Sequence, residues 1–299
     1  MPQVRSNGIV IEYEIRGPAD GAPLLLIHGV GAQLIRWPDA LLSRFTDAGF
    51  RTIRFDNRDS GLSTHFDACP APDLAAVVAA QARGEAAALP YRLDDMAEDS
   101  IGLLDALGIA RAHVLGMSLG GMVAQIMAIA HPARLRSLAL VMTSSGNPAL
   151  PRSDPGAMRA LATPAPDPLE NREAYLDHMV QRSRILGSPA YPAPEPALRR
   201  FASLAAERSY DPAGVARQLA ASRGALDRRD ALRALSVPTL VVHGAEDPLI
   251  PPQAGDELAA LTAGAWLLRV GGMGHDLPEQ LFDLIVGAVK ANADRAGYK

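Results

Sequence analysis

The chain has 299 residues, enough for one large α/β domain carrying an insertion or for two ordinary domains. Its 29 basic and 33 acidic side chains nearly balance and 48% of its residues are hydrophobic, a globular composition without the basic excess of a nucleic-acid or membrane-surface binder. A single cysteine, Cys69, excludes an internal disulfide, and Met1 to Gly17 alternates polar and apolar residues without the apolar stretch of a signal peptide, so a cytoplasmic protein is expected.

In chain order, Ile9 to Ile15, Pro23 to Ile27 and Arg51 to Phe55 are short apolar runs with β-branched residues between glycine-containing turns, and predict strands. The Ala-rich stretch around Ala75 to Ala88 predicts helix. From Asp94 onward Met96, Ile101, Leu104 and Leu107 share one side of a 3.6-period helix that ends near Gly108. Ala112 to Gly116 is a strand, followed by a helix through Met122, Val123, Ile126, Met127 and Ile129 that His131-Pro132 stops. Leu138 to Val141, Thr239 to His243 and Ala265 to Val270 are further strands, and Leu281, Ile285 and Val289 mark a closing helix.

Strands alternating with helices predict an α/β fold with a mostly parallel central sheet and helices on both faces. Between about Ser145 and Leu235 that rhythm stops and prolines crowd the chain, among them Pro148, Pro151, Pro155, Pro164 and Pro196. A structureless loop of that length does not suit a compact domain, so the segment is expected to be a helical cap. The expected organisation is a core of residues 1–144 and 236–299, with residues 145–235 inserted as the cap before the last two strands.

The strongest chemical signal is Gly116-Met117-Ser118-Leu119-Gly120, followed by Gly121, where a strand should end and a helix begin. A serine on so tight a turn exposes its hydroxyl, and glycines allow the flanking backbones to approach. The N-terminal amides of the following helix favour negative charge, so the N–H of Leu119 is a natural oxyanion donor. A second donor is expected from His28-Gly29-Val30-Gly31, with Val30 first and Gly31 next.

A serine hydroxyl needs a base, and the chain has 7 histidines. His275, in Gly271-Gly272-Met273-Gly274-His275, follows a strand at the carboxyl edge of the sheet, where such folds place their sites. His28 is expected to shape the oxyanion loop; His113 and His243 lie within strands, His131 at a helix end, and His65 and His178 in loop or cap. The carboxylate that orients the base is expected to be Asp247, in His243-Gly244-Ala245-Glu246-Asp247-Pro248, with Glu246 as its rival. Cys69 has no histidine motif beside it and is expected to be a bystander. Met158, Leu161, Tyr175, Met179, Ile185, Leu186, Tyr191, Phe201 and Leu204 are candidates for an apolar pocket beneath the cap, and most are expected to pack the cap itself.

Other classes fit less well. Gly29-Val30-Gly31 after a strand, with Asp56 ending the next, superficially suggests a dinucleotide fingerprint, but Leu34 stands where the third glycine belongs. No Gly-Lys-Ser/Thr follows any glycine loop, and no close-spaced histidine pair suggests a metallohydrolase.

With Leu26-Ile27-His28-Gly29, Phe55-Asp56-Asn57-Arg58-Asp59-Ser60-Gly61-Leu62-Ser63, the serine elbow, Gly244-Ala245-Glu246-Asp247-Pro248 and Gly274-His275 in this order, the chain resembles the α/β-hydrolase superfamily over essentially its whole length. Trp37-Pro38-Asp39 together with Arg54 to Gly61 resembles the branch of aclacinomycin methylesterase and related bacterial esterases. The resemblance implies oxyanion donors at Val30 and Leu119. Haloalkane dehalogenases and epoxide hydrolases of the superfamily use aspartate where Ser118 stands. His28 occupies a position at which the methylesterase departs from the usual His-Gly, so its substrate does not transfer with the fold. Asp56 and Arg58 are expected to brace the loop of residues 56–63 by hydrogen bonds or an ion pair.

The expected function is hydrolysis of a small to medium apolar carboxylic ester through Ser118, His275 and Asp247 and an acyl-enzyme. The alternatives are a carbon–carbon bond or lactone hydrolase with the same triad, and a non-catalytic ligand receptor. No cofactor or metal is expected, nor a nucleic-acid or membrane partner; the expected partner is a small-molecule ester, and the expected state a monomer or homodimer.

Overall fold

The computed structural model describes residues 2–85 and 87–297. The chain opens on a hairpin in which β1 (Gln3–Ser6) pairs antiparallel with β2 (Ile9–Arg16). The connecting Asn7 and Gly8 both have positive φ, 46° and 80°, as the tightest right-twisting hairpin turn requires. The hairpin adds a strand to those the sequence predicts, and Asn7-Gly8 is the signal for it.

There follow β3 (Ala22–Ile27), α1 (Asp39–Asp47), β4 (Phe50–Phe55), α2 (Leu74–Ala82), α3 (Leu93–Ala106), β5 (Ala112–Met117), α4 (Leu119–Ala130) and β6 (Leu135–Val141). The chain then runs through α5 (Pro155–Ala162), α6 (Arg172–Leu186), α7 (Glu195–Arg208), α8 (Pro212–Arg223) and α9 (Arg229–Leu232) before re-entering the sheet. It closes with β7 (Thr239–Gly244), α10 (Gln253–Leu261), β8 (Trp266–Val270) and α11 (Phe282–Asp294). Helix α2 stops at Ala82, short of the expected Ala88, because Gly84 turns left-handed at φ 71° and the chain leaves the axis; Ala86 lies outside the described residues.

The eight strands lie in the order β1-β2-β4-β3-β5-β6-β7-β8, with β2 antiparallel to both of its neighbours, β1 and β4, and every other pair parallel. The period of two along each strand divides the core. Leu25, Ile27, Val114, Leu138, Leu140 and Val241 pack with α3, α4 and α10 on one face. Leu24, Leu26, Leu115, Val141, Leu240 and Val242 pack with α1 and α11 on the other. Strands covered on both faces need apolar runs, which β3 has at Leu24 to Ile27, β6 at Leu138 to Val141 and β7 at Leu240 to Val242.

The helices between β6 and β7 are tied to the sheet by buried polar contacts. Arg217 on α8 grips Asp59 through Nε and Nη2 at 2.8 and 2.9 Å, and Arg208 on α7 pairs with Asp56 at 2.7 Å. Asp56 and Arg58 therefore do not pair with each other; Arg58 holds Asp99 of α3 at 2.6 Å instead. Among the described residues no helix is long and apolar enough to cross a membrane.

Candidate active site

Ser118 sits between β5 and α4 with φ 56° and ψ −121°, a conformation that L-residues rarely hold and that lifts its side chain off the end of the sheet. Close packing demands the neighbouring glycines. A Cβ on Gly116 would lie 2.2 Å from the Gly120 carbonyl oxygen, one on Gly120 would lie 2.1 Å from the Ile27 oxygen, and one on Gly121 would strike Thr143 at 2.6 Å. Thr143 also pins the turn, its hydroxyl donating to the Ser118 carbonyl at 2.7 Å.

His275 reaches this serine from the loop after β8. Its Nε2 lies 3.1 Å from Ser118 Oγ, and its Nδ1 lies 2.8 Å from Asp247 Oδ2. Asp247 is buried, and its other oxygen accepts the amides of Leu249 and Ile250 at 2.9 Å each, so the carboxylate is held as an acceptor without freedom to turn. Glu246 faces away and accepts the Gly272 amide at 2.5 Å, bracing the turn that carries His275. Beneath Asp247, His243 is directed by Nε2 to the Ile250 carbonyl at 2.9 Å, and burial lowers its pKa, keeping it neutral.

The loop after β3 passes directly over the serine, where a Cβ on Gly29 would stand 3.1 Å from Ser118 Cβ. Among the described residues the amides of Val30 and Leu119 donate to no protein acceptor, whereas the Gly31 amide is taken by Gln218 Oε1 of α8 at 2.7 Å. Val30, rather than Gly31, is thus the free donor on this loop. His28 shapes it: its ring lies edge-on to Trp37 with centroids 4.8 Å apart, its Nδ1 is 2.7 Å from the Gly29 amide nitrogen, and Asn57 holds its carbonyl. Burial, and then the positive charge of Arg36, push the His28 pKa well down, so it stays a neutral packing group.

Contacts that local sequence does not announce seat the His275 loop. The His275 amide donates to the Leu186 carbonyl at 2.7 Å, the Gly274 amide donates to Ser188 Oγ at 2.9 Å, and Ser188 donates to Asp276. The segment after α6 therefore clamps the loop from above.

Of the other four histidines, His113 is engaged with Ser137, His131 with Glu98, and His65 with Asp211 and the Gly61 carbonyl, while His178 lies on α6. Asp59, His65 and Asp211 bring ligand-type atoms within 4.8 Å of one another, but Arg217 already compensates their charge, which makes the group an ion-pair network. Cys69 is free, and its carbonyl serves Arg217. Of the expected pocket residues, Tyr175 and Met179 pack the insertion's own core, while Ile185 and Leu204 face solvent.

Residues 22–280 match the family model described as alpha/beta hydrolase fold. The chain is 30% identical to rhodomycin D methylesterase of Streptomyces sp. strain C5, an alignment covering 94% of each protein. It is 29% identical to 2-hydroxymuconate semialdehyde hydrolase of Pseudomonas sp. strain CF600, over 96% of this chain and 93% of that one. Among solved structures, a meta-cleavage product hydrolase from Pseudomonas fluorescens IP01 superposes with a TM-score of 0.75 at 20% identity, covering 99% and 98% of the two chains.

Proposed function

The chain belongs to the α/β-hydrolase fold family, and from that premise we propose that it hydrolyses carboxylic esters, methyl esters among them, with Ser118 as nucleophile, His275 as general base and Asp247 as orienting carboxylate. The observation that carries this reading is the unbroken hydrogen-bond chain from Asp247 through His275 to Ser118, beneath two uncommitted amides. Its likeness to a protein named as a methylesterase supports the ester as the bond broken.

In this mechanism Ser118 Oγ attacks the ester carbonyl carbon while His275 Nε2 takes its proton. The carbonyl oxygen becomes an oxyanion facing the Val30 and Leu119 amides, which the positive end of α4 reinforces. The ester C–O bond then breaks as His275 returns the proton to the departing alkoxide, leaving an acyl-serine. Water gives a proton to His275 and attacks the acyl carbon, and Ser118 leaves with that proton as the acid is released. Asp247 keeps the Nδ1 proton in place and compensates the imidazolium charge throughout.

The test is turnover of p-nitrophenyl esters from acetate to decanoate by the wild type and by Ser118→Ala. Wild-type turnover is expected, with a loss of about a thousandfold or more in the variant. Ser118-dependent cleavage of 2-hydroxymuconate semialdehyde, the substrate in the name of the second relative, without turnover of any ester would replace this reading by carbon–carbon bond hydrolysis.

A further inference from the structure

Helix α6 ends against the His275 loop, where the carbonyl of its last residue, Leu186, receives the His275 amide at 2.7 Å. Tyr175, His178, Arg182 and Leu186 follow one another at spacings of three and four residues, so they share one face of the helix. Arg182 thus lies one helical turn from the backbone that seats the imidazole. Arg36 ends the 3-10 turn Leu34–Arg36, which follows the oxyanion loop, and its guanidinium lies 4.8 Å from the centre of the Phe201 ring of α7. Burial, and then the charge of Arg36, lower the Arg182 pKa; burial lowers that of Arg36 as well, against the attraction of Asp276.

Enclosed guanidiniums are normally paired, because desolvating an unpaired charge is costly. Arg58, Arg208 and Arg217 obey that rule with Asp99, Asp56 and Asp59. Arg36 and Arg182 do not: neither guanidinium makes a hydrogen bond or ion pair with any described residue, and both residues keep partial solvent exposure. Asp276 is occupied by Ser188 and lies beyond ion-pair distance of both. One turn before Arg182 on the same helix, His178 leaves Nε2 buried without a partner.

We propose that Arg36 and Arg182 form an anion subsite beside Ser118 and His275 that takes the free carboxylate of a dicarboxylic acid monoester. The proposal rests on the esterase reading and names its substrate class: an acyl chain with an apolar body and an anionic end. Neither guanidinium has a carboxylate of its own, and Asp276, which acts on Arg36 alone, is held by Ser188, so an anionic group on the substrate would supply the missing partner. The planar fork of each guanidinium suits a carboxylate's two oxygens.

The experiment follows methanol release from monomethyl adipate and dimethyl adipate, together with calorimetric binding of both to Ser118→Ala. In the wild type kcat/KM is expected to favour the monomethyl ester by about tenfold or more, mainly through KM, and Ser118→Ala should bind it about tenfold more tightly than the dimethyl ester. Arg36→Gln and Arg182→Gln should each bring the ratio toward one, while the Lys variants, keeping the charge without the fork, retain part of it. Equal or weaker binding of the monomethyl ester would overturn the subsite whatever the turnover. Preferential binding without turnover of either ester would leave the subsite standing and remove the esterase reading; turnover of both without preference would do the reverse.

Discussion

Glu246 and Asp247 are adjacent carboxylates on one turn, and a single backbone step sends them to different tasks. Asp247 points inward to His275 and is fixed by the Leu249 and Ile250 amides, whereas Glu246 points outward to the Gly272 amide. An amide nitrogen at Oδ2 cannot accept the Nδ1 proton, so Asp247→Asn is expected to lower kcat by about a thousandfold or more with KM near normal. Glu246→Gln should cost only a few-fold. Steady-state kinetics of the two variants decide between them, and the reverse order of losses would move the acid to Glu246. The sequence does not choose between these side chains by type or spacing; the direction of each depends on where the loop after β8 comes to rest. Val30 and Gly31 are as hard to tell apart in sequence, and it is Gln218, 187 residues away, that occupies the Gly31 amide.

At the scale of elements, the strand–turn–helix around Ser118 is legible because it is local: the glycine spacing and the change of period from two to 3.6 specify it within a dozen residues. The hairpin of β1 and β2 is equally local and its Asn7-Gly8 turn is plain. The coupling of α6 to the His275 loop is of another kind. Ser188 bridges the Gly274 amide and Asp276 across 86 and 88 residues, a contact that no periodicity encodes. Ser188→Ala would leave the buried Gly274 amide unpaired, at a cost of about 1–3 kcal/mol borne by the loop rather than the whole fold. We therefore expect kcat/KM to fall by about tenfold or more with little change in the global melting temperature. Parallel kinetics and thermal melts check this, and an unfolding shift with unimpaired kinetics would refute it.

Across the whole molecule, the sheet that positions the site buries His113 in β5 against Ser137, and burial, with repulsion from Arg136 next, pushes its pKa down to about 4. In the unfolded chain the ordinary value is about 6.5, so the stability this neutral histidine contributes is complete above that pH. It is lost as pH falls toward 4, because the unfolded state binds the proton first. Between pH 7.5 and 4.5 the wild type is expected to lose roughly 2–3 kcal/mol more than His113→Asn. Urea unfolding at the two pH values measures the difference; equal losses would remove His113 as the source.

Short-range physics governs the alternation of strand and helix, the apolar runs of doubly covered strands, the glycine turn under Ser118 and the serine–aspartate–histidine order along the chain, and all of these are legible in the amino acids alone. Tertiary structure decided which polar groups meet. That Arg217 closes on Asp59, that Arg208 rather than Arg58 takes Asp56, and that Arg36 and Arg182 find no carboxylate partner among the described residues all depend on how the five helices between β6 and β7 settle over the sheet. Such contacts join residues more than a hundred positions apart, and their partners are selected by shape and desolvation in the packed chain, which local pattern does not record.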